Sequence, residues 1–515
     1  MLYKVRIEPY GFTDVVEADT LLADVLRKFM IEFPCGGKGV CGNCKVRIIS
    51  GNITTDNLQT EILKKKGLSS EWRLACLSKI KEDIVVEVPN GNMNILLDSI
   101  PFRSIAFVPE VGYGIAVDLG TTTVVSQLVS LESGMILETC SGVNPQSAFG
   151  ADIISRISYA LESANNAQNL TNIIRSFIGA QIEKLQNNIF ANGKLKKIII
   201  AGNSVMHHLF CGHDVGPLAN APFESKHNQG HIFGPDELHW NVPTNCRIEF
   251  LPNISHFIGS DILCGIQATR MLESEKNIML IDLGTNGEIV LGNKHSICCT
   301  STAAGPAFEG INISCGMRAS LGAVYAVDYL NEKFNLKTIG DMEPRGICGS
   351  GLVEAIHSLY IYNYVDSTGV LNIQKEMGVS LSKTIRLTAA DIREFQLAKG
   401  ALGAAISILM KNKNVFPENI NTVYLSGGLG HYLNINKARQ LGLFAQIPKC
   451  KILSIGNSAL TGCVQFLFNS NRGYLEAILQ KISFCQLETD PYFTDYFCKY
   501  MFLGNKNIET ANHYI

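Results

Sequence analysis

Four cysteines carry the first chemical signal in the chain. Cys35, Cys41 and Cys44 stand in FPCGGKGVCGNCKV (33–46) with the spacing C-x5-C-x2-C, and Cys76 follows in RLACLSKI. A [2Fe–2S] centre takes three thiolates from one loop and a distant fourth, commonly as C-x4-C-x2-C plus one. The glycines interleaved with these cysteines let the backbone turn tightly, so that thiolates converge and N–H groups donate to sulfur. A structural zinc site favours paired C-x2-C or Cys–His ligands, and no histidine precedes His207. The spacing predicts a one-electron carrier.

Two further stretches repeat one pattern. GIAVDLGTTTVVSQLV (114–129) and NIMLIDLGTNGEIVLG (277–292) each run an apolar strand into a DLGT turn and out along a second apolar strand. Such a turn aims backbone N–H groups and threonine hydroxyls into one concavity suited to phosphate. Asp118 and Asp282, at the mouth of each turn, are the candidate catalytic residues, able to hold a Mg²⁺ hydration shell or orient a water. Gly120, Thr121, Thr122 and Thr123 in the first turn, and Gly284, Thr285 and Asn286 in the second, are the candidate phosphate ligands. A third element, TVYLSGGLG (422–430), offers Gly427 and Gly428 for close approach of the backbone to a flat ligand. The duplicated unit predicts two similar lobes.

The elements that must position these groups are legible in outline. Tyr3–Glu8, Asp14–Glu17, Lys45–Ile49 and Ile84–Val88 read as strands, and Thr20 is placed to cap a helix presenting Leu21, Leu22, Val25, Leu26 and Phe29. One helix across a small mixed sheet is a β-grasp layout. A helix over Phe395–Leu409, rich in small residues, precedes the third glycine element. The predicted organisation is a [2Fe–2S] ferredoxin-like β-grasp domain over 1–95 and a linker over 96–110. A two-lobed ATPase domain follows over 111–470, and a helical cap over 471–515.

Bulk properties restrict the function. The 515 residues are 46% hydrophobic and 17% charged, with a formal net charge of −2, against a usual charged fraction of roughly 25%. No large basic field invites nucleic acid or anionic membrane; Lys64–Lys66 and Lys194–Lys197 read as solvated faces. The N-terminus lacks a signal-peptide pattern and no stretch has the length of a membrane span. Sixteen scattered cysteines fit a reducing compartment better than a disulfide framework. These features predict a cytoplasmic enzyme or carrier.

With both halves in view, the chain resembles the reductive activators of corrinoid proteins. The resemblance rests on VNPQSAFGADIISRI (143–157), AGNSVMHHLF (201–210), IGSDILCGIQA (258–268), AAGPAFEGINISCGMRASLGA (303–323), GICGSGLVEAI (346–356), LGLFAQIP (441–448) and IGNSALTG (455–462). The extra residue in the first cysteine gap is similar to vertebrate-type and bacterial ferredoxins, and the two aspartate hairpins resemble the actin, sugar-kinase and heat-shock ATPase superfamily, with its ribonuclease H-like lobes. The resemblance implies ATP-dependent, one-electron reduction of Co(II) to Co(I), with Cys35, Cys41, Cys44 and Cys76 as cluster ligands and ATP and Mg²⁺ in the cleft. It implies as partners a corrinoid protein (a corrinoid/iron–sulfur protein or a methyltransferase corrinoid subunit) and a low-potential electron donor. Homodimer formation is left open. Longer relatives carry an extra small domain where this chain has only a short segment, and the two cysteines of the tail, Cys485 and Cys498, are too few for a second cluster. The competing readings are activation of another low-potential metalloenzyme, a nucleotide-binding redox sensor, and a small-molecule kinase with a regulatory ferredoxin domain.

Several residues invite a role and have a plainer alternative. Adjacent His207 and His208 project to different helix faces, so both cannot serve one metal. Asp261 opens a helix and is placed either to cap it or to act near Mg²⁺. Glu288 is placed to reach the cleft or face solvent, while Cys298, Cys299, Cys315 and Cys348 read as small buried hydrophobes.

Overall fold

The computed structural model describes residues 2–8, 12–26, 39, 44–65, 68–87, 108–187, 189, 194–220, 223, 225–284, 286–372, 378–429, 432–447, 449–469 and 472–504. Cys35, Cys41, Phe29 and Thr285 lie outside them, as does the expected linker apart from its last three residues.

The N-terminal unit is a five-stranded mixed sheet in the order Phe12–Glu17, Leu2–Glu8, Ile84–Glu87, Lys45–Ser50, Trp72–Leu74. Leu2–Glu8 pairs antiparallel with its hairpin partner and parallel with Ile84–Glu87. Alternation along Leu2–Glu8 sends Val5 and Ile7 inward, where they meet Leu22, Val25 and Leu26 of the helix Leu22–Leu26. This is the expected β-grasp layout. Thr20 does not cap that helix: its hydroxyl donates to Glu17 O at 2.8 Å, and Leu22 N–H is satisfied by Ser78 O. A second helix, Asn57–Lys65, escaped the sequence reading; Asp56 starts it by accepting from Gln59 N.

The rest of the chain builds two six-stranded sheets that share a five-strand core topology and carry their sixth strand on opposite edges. The first has the order His231–Phe233, Arg247–Phe250, Leu195–Gly202, Tyr113–Leu119, Thr123–Ser130, Ile136–Val143; the second has Ile452–Ser454, Ile420–Ser426, Asn277–Leu283, Gly287–Gly292, Ile297–Thr302, Ile482–Phe484. In each, the aspartate-bearing strand is antiparallel to its hairpin partner and parallel to a later strand on its other side. The 164-residue repeat is therefore a repeat of architecture, the two-lobed ribonuclease H-like arrangement. The apolar runs are long because both faces of each sheet are covered.

Two helices, Ser260–Ala268 and Ser458–Phe466, lie where the sheets face one another. Leu263 and Cys264 join Leu460 and Cys463 against Ala116, Ile199 and Ala201 of the first sheet, while Ile262 and Ile266 pack on Leu280 and Val290 of the second. Their crossing is close: a Cβ on Gly462 would stand 1.9 Å from Cys264 O. The outer faces carry Ala164–Gln186 on the first sheet, and Gly349–Ile361 and Ala389–Asn412 on the second.

The helix expected from Phe395 begins at Ala389, because Thr388 and Asp391 form a capping box upstream of the small-residue stretch. Those small residues receive the tail. Cβ atoms on Gly400 and Gly403 would collide with Met501 and Tyr500 of the helix Phe493–Met501, and buried Lys399 holds that helix by donating to Phe502 O at 2.8 Å. The tail is not purely helical. Ile482–Phe484 joins the second sheet parallel to Ile297–Thr302.

Candidate functional site

Each hairpin turn is aimed into the space between the sheets by the register of its strands. The first turn is braced by three residues. Asn144 N and Nδ2 donate to Thr122 O and Gly120 O at 2.7 and 2.9 Å. Arg156, fully buried, donates to Thr121 O and, at 2.8 Å, to Gly150 O. Asn203 caps the helix Ser204–Cys211 and donates to Thr121 Oγ1 at 2.8 Å. Two stretches singled out in the sequence, 143–157 and 201–210, therefore act as a frame for the first phosphate-type turn. The second turn closes with Gly284 N donating to Asn286 O at 3.1 Å.

The described members of the sequence-predicted set, Asp118, Gly120, Thr121, Thr122, Thr123, Asp282, Gly284, Asn286, Gly427 and Gly428, all line one cavity of about 630 Å³ between the lobes. Gly427 has φ +88, and a Cβ there would sit 2.5 Å from Leu283 O, so the backbone passes close to the second aspartate strand. Asp261, Glu288 and Cys348, weighed as uncertain from sequence, line the same cavity. Asp261 is not the helix cap: Gly259 holds that position, and Asp261 Oδ1 accepts from the N–H of the next residue, Ile262, at 2.8 Å.

The carboxylates open into the cavity yet sit deep in the protein. Burial pushes the Asp118 carboxyl up to about 6, with the Asp282 charge adding and the Asn457 amide opposing. Burial likewise raises Asp261 to about 7, helped by Asp282 and Asp118. Asp282 is raised by burial against the hydroxyls of Ser426 and Ser458, and Glu288 by burial plus the charges of Asp261 and Asp282. These groups need a cation or a proton to be comfortable together. Among the described residues no three His, Cys, Asp or Glu side chains converge as metal ligands.

Residues missed in the sequence include Asn457, whose Nδ2 donates to Asp118 Oδ2 at 2.7 Å, and Arg318, whose guanidinium donates to Thr122 Oγ1 at 3.1 Å. Both lie in stretches that carry the family resemblance, 455–462 and 303–323, and Asn457 also stands as an N-cap before an apolar run.

His207 and His208 do not line the cavity. His207 packs edge-on against Phe250 at 4.8 Å, and burial, then its histidine neighbours, pushes it down to about 3. His208 lies 2.7 Å from Ser204 O and 2.6 Å from Ser225 Oγ. Cys298 and Cys299 are buried in the second sheet, as expected.

In the N-terminal domain, Cys44 and Cys76 are 2% and 7% exposed. Their sulfurs converge to 3.2 Å, beyond the disulfide length of about 2.05 Å. Ala75 N donates to Cys44 O, pinning the two segments together. Two buried thiols facing one point, in the domain whose loop supplies two more cysteines, fit the ligand set of a [2Fe–2S] cluster.

Fold and site together define a class: a [2Fe–2S] ferredoxin domain carried by a two-lobed, nucleotide-cleft domain of the actin and sugar-kinase kind. Family models agree segment by segment. Residues 5–81 match the 2Fe-2S iron-sulfur cluster binding domain, 113–274 the RACo middle region, and 276–514 the C-terminal ASKHA domain of RACo. The corrinoid activation enzyme RamQ of Eubacterium limosum is 31% identical over 76% of this chain and 71% of its own length. The [Co(II) methylated amine-specific corrinoid protein] reductase of Methanosarcina barkeri is 27% identical over 70% of this chain and 71% of its own. A solved reductive activator for corrinoid, iron-sulfur protein superposes with TM-score 0.67 and 26% identity, covering 97% of this chain and 98% of that one. The chain belongs to the family of reductive activators of corrinoid proteins.

Proposed function

We propose that the chain spends ATP in the interlobe cavity to drive one-electron reduction of Co(II) to Co(I) in a corrinoid protein. The observation that carries the reading is the joining of two DLG hairpins around one acidic cavity in a chain whose first domain gathers cysteine thiols. Cys35, Cys41, Cys44 and Cys76 would hold a [2Fe–2S] cluster, which when bound takes up and releases one electron at a time.

ATP is needed on energetic grounds. Plant-type centres lie near about −400 mV, and each 100 mV uphill costs one electron about 2.3 kcal/mol. In the cavity the hydroxyls of Thr121–Thr123 and the N–H groups of both turns bind phosphate oxygens, and Gly427 and Gly428 let adenosine lie flat on the backbone. Mg²⁺ keeps several waters and binds through one or two carboxylates plus substrate phosphates, a pattern the cleft carboxylates could serve. Asp118 and Asp282 hold that hydration shell or orient the attacking water. Nucleotide acts on reduction only by favouring one arrangement of the lobes and client over another.

The test is cobalt reduction by the reduced, cluster-loaded protein with and without ATP, followed by the corrinoid spectrum. Co(I) formation that requires ATP is expected; reduction at equal rates without it overturns the proposal.

A further inference from the structure

The cavity is chemically lopsided. Six carboxylates line it, those of Asp118, Asp261, Asp282, Glu288, Glu309 and Glu488, and among the described lining residues Arg318 alone brings a lysine or arginine charge. A polyanionic triphosphate entering such a space needs every cation available to it.

Arg318 is built to be one of them. It stands on a loop of the second lobe locked by short backbone contacts. Met317 N donates to Ile347 O at 2.9 Å, Ile347 N to Cys315 O at 2.8 Å, and Gly316 N to Ile313 O at 2.9 Å. The loop is so tight that a Cβ on Gly316 would come within 2.1 Å of Gly310 O. From this base the guanidinium crosses the cleft to Thr122 Oγ1, a hydroxyl of the first lobe's phosphate-type turn. Burial lowers its pKa only to about 10, so it is charged at neutral pH. Arg156 offers the contrast: it too is buried beside the same turn, yet it donates to the first lobe's own carbonyls and is a brace.

We propose that Arg318 is a catalytic residue of ATP hydrolysis, its fork taking the terminal phosphate beside Thr122 and so tying the second lobe to the first through that phosphate. This rests on the ATPase reading above. In the step, a water oxygen bonds to the terminal phosphorus, the bond to the β–γ bridging oxygen breaks with its electron pair leaving on ADP, and the water's proton passes to a cleft carboxylate and on to solvent. Arg318 neutralises charge on the equatorial oxygens, a geometry that a planar bidentate donor matches and an ammonium does not. After the terminal phosphate leaves, the guanidinium loses that contact across the cleft, so the closed arrangement is favoured by ATP over ADP.

The experiment compares the full-length, cluster-loaded parent with Arg318→Ala, Arg318→Lys and Arg318→Gln for hydrolysis rate and for affinity toward ADP and a non-hydrolysable ATP analogue. Loss of a phosphate-directed arginine costs on the order of 10³-fold in kcat, and that loss is expected for Ala and Gln, with partial recovery in Lys. ADP affinity stays near the parent's while the preference for the analogue over ADP disappears. Gln can still donate to Thr122, so it separates lost charge from a disturbed loop. Hydrolysis at the parental rate in Ala or Gln overturns the inference, as does equal loss of ADP and analogue, which marks a brace. A parent that hydrolyses no ATP takes down the ATPase reading itself, and is told apart because no variant is needed to see it.

Discussion

Asn457 and Asp118 lie 339 positions apart and are joined by a 2.7 Å hydrogen bond from amide to carboxylate. The same asparagine caps the helix Ser458–Phe466 through Oδ1, which accepts from Leu460 N at 2.8 Å. One side chain therefore fixes both a helix start and the rotamer of the first cleft aspartate. Asn457→Ala is expected to lower ATP hydrolysis about 10–100-fold, the usual cost of removing an orienting partner. It is also expected to lose about 1 kcal/mol of stability with the cap. Steady-state hydrolysis and a denaturant titration read the two effects separately; an unchanged hydrolysis rate would sink the positioning role.

Asp261 sets a pH dependence whose sign follows from its environment. Its folded pKa is raised from the ordinary 3.8 to about 7, so the folded protein holds a proton that the unfolded chain releases. The stabilisation from that proton is full below the unfolded value and is lost as pH rises through about 7. Asp261→Asn, which mimics the protonated form, is expected to match the nucleotide-free parent in acid and exceed its stability above that pH. Urea midpoints for both proteins on either side of the transition check this, and a pH-independent difference contradicts it.

Cys76 is expected to separate the two halves of the activity. Cys76→Ser removes one of the two described thiols that converge at 3.2 Å. Iron and acid-labile sulfide bound per chain should fall and corrinoid reduction should stop, while basal ATP hydrolysis in the lobes continues. Metal analysis beside an ATPase assay decides it; full iron content in the variant would remove Cys76 from the ligand set.

Gly462 reports on the helix crossing between the sheets. A methyl there would lie 1.9 Å from Cys264 O, which forces the helices apart. Gly462→Ala is expected to cost about 1–3 kcal/mol, typical of an overpacked interior. Hydrolysis should fall with it, since Asn457 and Asp261 stand at the starts of these two helices. Thermal melting and hydrolysis together test this, and a variant with parental values in both refutes the close crossing.

The sequence by itself determined what local pattern can encode. Alternation in Leu2–Glu8 marked a half-buried strand, the cysteine spacing marked a cluster loop, and two DLG turns 164 residues apart marked duplicated hairpins, because each signal lies within one supersecondary unit. Thr20 was misread as a cap because the competing acceptor, Glu17 O, and the alternative partner for Leu22, Ser78 O, come from the fold around it. The helix start at Ala389 was missed because Thr388 and Asp391 precede the apolar run that drew attention.

Only the tertiary structure decided which groups share the cavity. Asn457 reaches Asp118, Arg318 reaches Thr122 and Asp261 turns inward because two sheets and two crossing helices bring distant segments within hydrogen-bond range. The same assembly sent His207 and His208 into the first lobe's core and away from the cleft. Chain spacing carries no record of such encounters. They are set by which apolar faces pack, and the polar groups at the ends of those elements meet as a consequence.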